Sequence, residues 1–109
     1  MERRAAARVW VDRPVRVASM TEQALPRADS IDASSSGVLV ALAEPVGLAC
    51  DTRVCFSMPT DDGMVHLLGR VRRVERGDDF RTYIALSLDD PDNEYERERW
   101  NDWLDGLRT

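Results

Sequence analysis

Two short groups of residues have the chemistry to bind an anionic purine ligand. The first spans residues 3–8 and reads RRAAAR, with Arg4 and Arg8 four positions apart and Arg3 directly before them. An arginine fork donates two parallel bonds to phosphate oxygens, or to O6 and N7 of guanine. The run therefore predicts a cationic grip on phosphate or on a purine edge, although solvated chain ends also contain such arginines.

The second group spans residues 32–37 and reads DASSSG. Asp32 can accept from N1–H and N2–H of guanine, the donor edge that arginine cannot read, and Ser34 adds a rotatable hydroxyl for the base edge or a phosphate. Gly37 allows either a positive φ or a close approach of the backbone. The competing interpretation is an ordinary turn between two strands, in which Asp32 bonds its own backbone.

The charge distribution limits the class of ligand. The net charge is −5, and all fifteen basic residues are arginine. Residues 1–16 carry five arginines and two acids, whereas residues 89–109 carry eight acids and three arginines. Affinity for a polyanion depends on summed positive charge, so we expect no general DNA or RNA binding. One basic segment can still hold a small dianion.

The remaining reactive residues do not indicate an enzyme. Cys50 and Cys55 have neither zinc-site nor secreted-disulfide spacing, and His66 is the only histidine, without an evident nucleophile beside it. We expect no catalysis, metal or cofactor. No apolar run approaches the roughly 20 residues that span a bilayer, and the N-terminus lacks a signal-peptide core. The expected location is cytoplasmic, without membrane insertion.

Alternating apolar residues predict antiparallel strands through the middle of the chain. They cover approximately residues 9–18, 37–42, 52–58, 64–75 and 80–88. Turns are predicted at residues 59–63 and 76–79, Gly69 is expected to mark a bulge or bend, and the polar stretch near residues 27–31 reads as a connection. Strands at this spacing, without interleaved helices, are typical of a small barrel.

The last stretch changes to a helical period. Asn93 and Glu96 read as an N-cap and N3 pair. Four apolar residues then fall on one helical face: Trp100, Trp103, Leu104 and Leu107. A helix over residues 92–107 is therefore predicted to pack on the barrel, with a partner or homodimer contact through the two tryptophans as the alternative.

The order of these features resembles PilZ domains, the bacterial receptors for cyclic di-GMP. An RxxxR run precedes the first strand, DxSxxG lies at the turn into an apolar strand, and a helix follows the β body. The resemblance covers nearly the whole chain. It implies a mainly β fold, a six-stranded antiparallel barrel with a C-terminal helix. Residues 1–109 would be one domain, with a flexible ligand-binding arm (1–12), the barrel (13–90) and the helix (92–107).

The resemblance also implies the site. Arg4 and Arg8 would hold the phosphates and guanine of cyclic di-GMP, while Asp32, Ser34 and Gly37 would line the guanine site. In such domains, a long basic residue directly before RxxxR accompanies two intercalated ligand molecules. The resemblance therefore implies that Arg3 accompanies binding of two ligands. Arg72 or Arg73 could add a further contact to the ligand. Two residues depart from the family pattern: Ala33, where a bulkier apolar residue is common, and Ala85, where glycine is usual.

The expected mechanism is that the ligand orders the arm and so changes the surface offered to a separate, unidentified downstream protein. A second interpretation is a PilZ-like adaptor that contacts its partner without any nucleotide. The complete set of motif residues favours the first.

Overall fold

The computed structural model describes residues 8–20 and 25–108. Arg3 and Arg4, with the rest of residues 1–7, lie outside the described residues. The elements in chain order are β1 (Val9–Ser19), β2 (Ala28–Ser34), β3 (Gly37–Leu42), β4 (Arg53–Thr60), β5 (Gly63–Arg76), β6 (Thr82–Ser87), a 3₁₀ turn (Pro91–Asn93) and α1 (Glu94–Arg108).

The six strands form a closed antiparallel barrel in the order β1-β2-β3-β6-β5-β4. Each of the six described strands is therefore paired on both sides, and none of them presents an open edge that could recruit another chain. Alternate side chains point into the barrel and form one apolar core, which includes Val40, Phe56, Met58, Leu67 and Ile84. The predicted six-stranded barrel with a C-terminal helix is confirmed.

The strand boundaries correct the prediction at the start of the barrel. β1 begins at Val9, so residues 9–12, assigned to a flexible arm, belong to the barrel. The stretch at residues 27–31 is mostly strand, because β2 begins at Ala28. An extra residue, Ile31, interrupts the register between β2 and β3. That interruption destroys the apolar alternation by which a strand is recognised in sequence.

Two turns also differ from the prediction. Pro59 and Thr60 continue β4, and the hairpin turn is limited to residues 61–62. At the other hairpin, β6 begins at Thr82, because Phe80 has a φ of 65° and cannot continue an extended strand.

The helix begins differently from the predicted capping pair. Asp90 caps the 3₁₀ turn by accepting from Asp92 N at 2.9 Å. Asn93 is buried, and its side-chain amide donates to Leu68 O at 2.7 Å and Leu88 O at 3.0 Å. Its Oδ1 accepts from Leu68 N at 2.7 Å. Asn93 therefore joins the start of the helix to the barrel, instead of acting as the N-cap.

The apolar face of α1 packs mostly as predicted. Trp100 and Leu104 are fully buried, and the Trp100 ring lies edge-on to Phe56 with centroids 5.8 Å apart. Trp103 is half-buried beneath the Arg13 guanidinium, 5.3 Å from the ring centroid. Leu107 is 41% exposed, so its assignment to the packed face is wrong. A partner contact through both tryptophans is excluded, because Trp100 is inside the protein. Among the described residues, no helix has the length and apolarity needed to cross a membrane.

Candidate ligand-binding groove

A row of side chains crosses four strands on the outer face of the barrel. Asp32 on β2 lies opposite Leu39 on β3, which lies opposite Ala85 on β6. Ala85 in turn lies opposite Arg73 on β5. These four residues and Arg8 line a depression of about 340 Å³, which we call the groove. The register of the barrel thus brings predicted site residues from three distant parts of the chain together.

The two charged groups from the sequence motifs meet at one end of the groove. Arg8 Nε donates to Asp32 Oδ1 at 2.7 Å, and its Nη2 contacts the same oxygen. The side chains are 51% and 23% exposed, respectively. An exposed pair of this kind contributes about 0–1 kcal/mol to stability. Ligand groups that donate to Asp32 and accept from Arg8 can therefore replace it at little energetic cost.

The other end of the groove is formed by Arg73. Its Nε lies 3.2 Å from Glu75 Oε2, with both side chains 64% exposed. Arg72 is an extra residue in β5 and pairs outside the groove with Asp51, at 3.2 Å. Of the two arginines that the sequence left open, Arg73 is the one that lines the groove. Sequence could not separate them because the inserted residue changes which side chain faces outward.

Ser34 does not line the groove and is the last residue of β2, next to the β2–β3 turn. It is only 3% exposed, and its Oγ accepts from Ser36 N at 3.4 Å. Its carbonyl accepts from Trp100 Nε1 at 2.9 Å. The side chain thus stabilises the turn, as in the competing interpretation of the motif.

Gly37 opens β3 beside this turn. A Cβ there would lie 3.0 Å from the backbone oxygen of Leu86, and its φ is outside the left-handed region. Of the two roles considered for this glycine, the structure shows the close approach of strands and not the positive φ.

Three β-bulges lie beside the row, a feature that the sequence does not reveal. They interrupt β1 after Trp10, β2 before Asp32 and β5 before Arg73. A bulge bends its strand and redirects the neighbouring side chain, and bulges are frequent next to binding sites. In this barrel they flank the row at both ends and determine which residues face outward.

The turn at residues 34–36 is hydrogen-bonded to the C-terminal part of the chain. Besides the Trp100 bond, Arg97 Nη2 donates to Ser35 O at 3.3 Å. Leu88 N donates to Ser36 O at 2.8 Å. The backbone that carries Asp32 is therefore held from behind by α1 and the segment preceding it.

The other reactive residues lie away from the groove. His66 Nδ1 and Ser57 Oγ are 2.8 Å apart on β5 and β4, at the surface. Cys50 and Cys55 are free thiols. Within residues 8–20 and 25–108, no cluster of three His, Cys, Asp or Glu side chains could hold a metal ion.

Known structures share this fold. The PilZ domain of CeSA from a cellulose-synthesizing bacterium superposes with a TM-score of 0.69 at 22% identity, covering 91% of this chain and 98% of that one. The Bacillus subtilis inhibitor of motility (MotI/DgrA) gives a TM-score of 0.66 at 17% identity and 91% coverage of this chain. This chain spans only 49% of the MotI/DgrA structure. No curated protein matches this chain.

The family model described as PilZ domain matches residues 2–104. The match includes the arginine run, the serine-rich turn, all six strands and most of the helix. The chain therefore belongs to the PilZ domain family.

Proposed function

We propose that this protein is a receptor for cyclic di-GMP, which binds in the groove and regulates a partner protein. The proposal is supported by membership of the PilZ domain family, a family of receptor and adaptor domains that implies binding of cyclic di-GMP. The observation that carries the proposal is the contact between Arg8 and Asp32, a guanine-reading cation and acid brought together on the outer face of the barrel.

In the proposed complex, Arg8 leaves Asp32 and binds a phosphate or the O6/N7 edge of a guanine. Asp32 then accepts from N1–H and N2–H of the base. Leu39 and Ala85 form the floor, where a small residue at 85 leaves room for the ligand. Arg73 supplies a second cation at the far end of the row.

The proposed exchange of partners is energetically favourable. Hydrogen bonds to charged groups contribute about 1.5–3 kcal/mol each. The exposed Arg8–Asp32 pair contributes about 1 kcal/mol or less. Four of the groove residues belong to strands of a closed sheet, so the cost of ordering falls mainly on the arm that precedes β1. A small dianion can bind here although the chain as a whole carries a net charge of −5.

Arg3 and Arg4 are proposed to add further phosphate contacts from the segment that precedes Arg8. If Arg3 supports an intercalated ligand pair, the stoichiometry will be two ligands per chain. A calorimetric titration measures this ratio directly, and sedimentation with and without ligand reports whether a homodimer forms. Ser34 and Gly37 are assigned an indirect role, because they shape the turn that carries Asp32.

The signal is proposed to leave the groove by two routes. Ligand draws residues 1–8 across the barrel face. Its contact with Asp32 also shifts the adjoining turn at residues 34–36. That turn is bonded to α1 through Trp100 and Arg97. The surface offered to a downstream protein therefore changes on ligand binding. MotI/DgrA is an inhibitor of motility, and a comparable regulatory action on a separate protein is proposed here.

The first experiment is calorimetric titration with cyclic di-GMP, using cyclic di-AMP as the matched ligand control. Adenine lacks the N1–H and N2–H donors, so we expect only the guanine compound to bind. Arg8→Ala and Asp32→Ala should each abolish or severely weaken binding. Arg16→Ala is the control, because Arg16 is an exposed arginine of β1, the strand that follows Arg8, and its register partner lies on β4.

A second pair of variants tests the far end of the groove. Arg73→Ala should weaken binding, whereas Arg72→Ala, which removes the neighbouring arginine outside the groove, should not. A parent protein that binds neither cyclic dinucleotide would overturn the receptor proposal. It would leave the interpretation as an adaptor that acts without nucleotide.

A further inference from the structure

Trp10 is a large aromatic residue that is exposed to solvent and does not contribute to the core. Its side chain is 78% accessible, the largest value among the bulky apolar residues that the structure describes. Trp100 and Trp103, in contrast, pack against the barrel. An exposed indole leaves a large apolar area in water, an area that a stacked aromatic partner would cover.

The register brings Trp10 to the guanine-reading end of the groove. It lies directly opposite Asp32, and Asp32 also bonds Arg8, which precedes Trp10 by two residues just before β1 begins. Side chains opposite each other in an antiparallel pair have Cβ atoms about 5 Å apart. An aromatic plane, an acceptor for a base edge and a cation therefore share one small patch.

A bulge immediately follows Trp10. Val11 and Asp12 of β1 stand against a single residue of β2, and Asp12 has a left-handed φ of 46°. Val11 turns into the core, so the irregular backbone is anchored from inside. Strained backbone of this kind costs about 1–3 kcal/mol, persists where the surroundings enforce it, and is concentrated at binding sites.

We propose that Trp10 is a stacking platform for one guanine of the ligand. This assignment rests on the proposed receptor function and adds a residue outside both sequence motifs. Indole faces bind any purine by stacking, while Asp32 at the base edge supplies the preference for guanine. Trp10 and Asp32 thus divide the work: the ring contributes affinity, and the acid contributes selectivity.

A protein contact is the competing use of an exposed tryptophan. Burying Trp10 under a flat apolar partner would also bury the Arg8–Asp32 pair beside it. Charged groups taken out of water need new partners, which a purine edge and a phosphate provide and an apolar surface does not. The composition of the patch therefore favours a nucleotide.

The test is titration of the parent, Trp10→Ala and Trp10→Phe with cyclic di-GMP. Loss of one base stack should weaken affinity of Trp10→Ala by about 5-fold to 100-fold. Trp10→Phe should retain most of the affinity because it keeps an aromatic face. Tyr95→Ala is the matched control, since Tyr95 is 74% exposed but belongs to α1. It should bind like the parent.

Intrinsic fluorescence provides a second readout. We expect cyclic di-GMP to quench parent emission through Trp10, and Trp10→Phe to lose most of that response while still binding. Equal affinity of parent and Trp10→Ala would overturn the stacking role and leave the receptor function standing. Quenching in Trp10→Phe as large as in the parent would likewise overturn it, whereas a smaller residual response is expected from Trp100, whose indole bonds Ser34 O. Absence of binding by the parent would overturn both proposals.

Discussion

The groove and the junction between helix and barrel use polar side chains in opposite ways. At the junction, Asn93 is buried and makes three bonds of 2.7–3.0 Å to fixed backbone groups. In the groove, Arg8, just before β1, and Asp32 on β2 are accessible and bond to each other. The first arrangement specifies how α1 docks, whereas the second leaves charged groups available to a ligand. Polar residues therefore indicate function when their partners can be exchanged.

Replacement of Trp100 should give the largest loss of folding stability among these variants. It tests the junction between the helix and the barrel. Trp100→Ala removes a fully buried ring and the N–H that bonds Ser34 O. Replacing a buried aromatic residue by alanine costs about 3–5 kcal/mol. Chemical denaturation measures the change, with Trp10→Ala as the exposed control. Equal destabilisation by the two variants would contradict the assignment of Trp100 to the core.

Asn93→Ala should have the next largest effect. It leaves backbone groups of Leu68 and Leu88 without their partner, so we expect about 3 kcal/mol, near the upper end of the usual penalty for a buried unsatisfied group. Asn101→Ala is the matched control, because its Oδ1 is buried with no partner among the described residues. That control should be neutral or slightly stabilising. A harmless Asn93→Ala would show that the junction does not depend on these bonds.

Gly37 lies at the boundary between the groove and the junction, and Gly37→Ala tests whether this residue acts through packing or through direct contact with the ligand. The added methyl would press on the Leu86 backbone oxygen, and such overpacking costs about 1–3 kcal/mol. Gly47→Ala is the control, since nothing lies within 4 Å of its Cβ position. Thermal melting separates the two. If Gly37→Ala melts like the parent but no longer binds cyclic di-GMP, Gly37 contacts the ligand directly and the indirect role is wrong.

Asp32→Ala should change stability by about 1 kcal/mol or less, because it removes only an exposed ion pair. Its effect on cyclic di-GMP binding should nevertheless be severe. Denaturation and calorimetry on the same preparation compare the two quantities. Unfolding of Asp32→Ala under native conditions would make the acid a structural residue and remove the distinction between groove and junction.

The smallest effect concerns Asp79, which belongs to neither region. The Tyr83 hydroxyl bonds its carboxylate at 2.8 Å and is the main cause of a pKa below the ordinary 3.8. A lowered pKa stabilises the fold above pH 3.8, and the contribution is lost as pH falls through the folded-state pKa. Tyr83→Phe should raise the Asp79 pKa, as measured by carboxyl NMR titration. Tyr95→Phe should leave it unchanged.

The structure agrees with the sequence-based predictions where the local pattern is regular. The apolar run of residues 37–42 became β3 within the predicted boundaries. The helical period placed Trp100 and Leu104 in the core. The structure differs from the predictions at β2, where an inserted residue hides the strand, and at Asn93, whose partners lie on β5 and before the 3₁₀ turn. A capping motif describes local geometry only and cannot report a distant backbone group that competes for the same amide.

The amino-acid sequence by itself indicated a small β barrel and a C-terminal helix, because these depend on period and spacing, and its resemblance to PilZ domains indicated the candidate ligand groups. Tertiary structure alone decided that Arg8 meets Asp32, that Arg73 and not Arg72 faces the groove, and that Trp10 stands beside them. The reason is register. Each bulge shifts the alternation of a strand by one residue, and only the pairing of all six strands determines which side chains share the outer face.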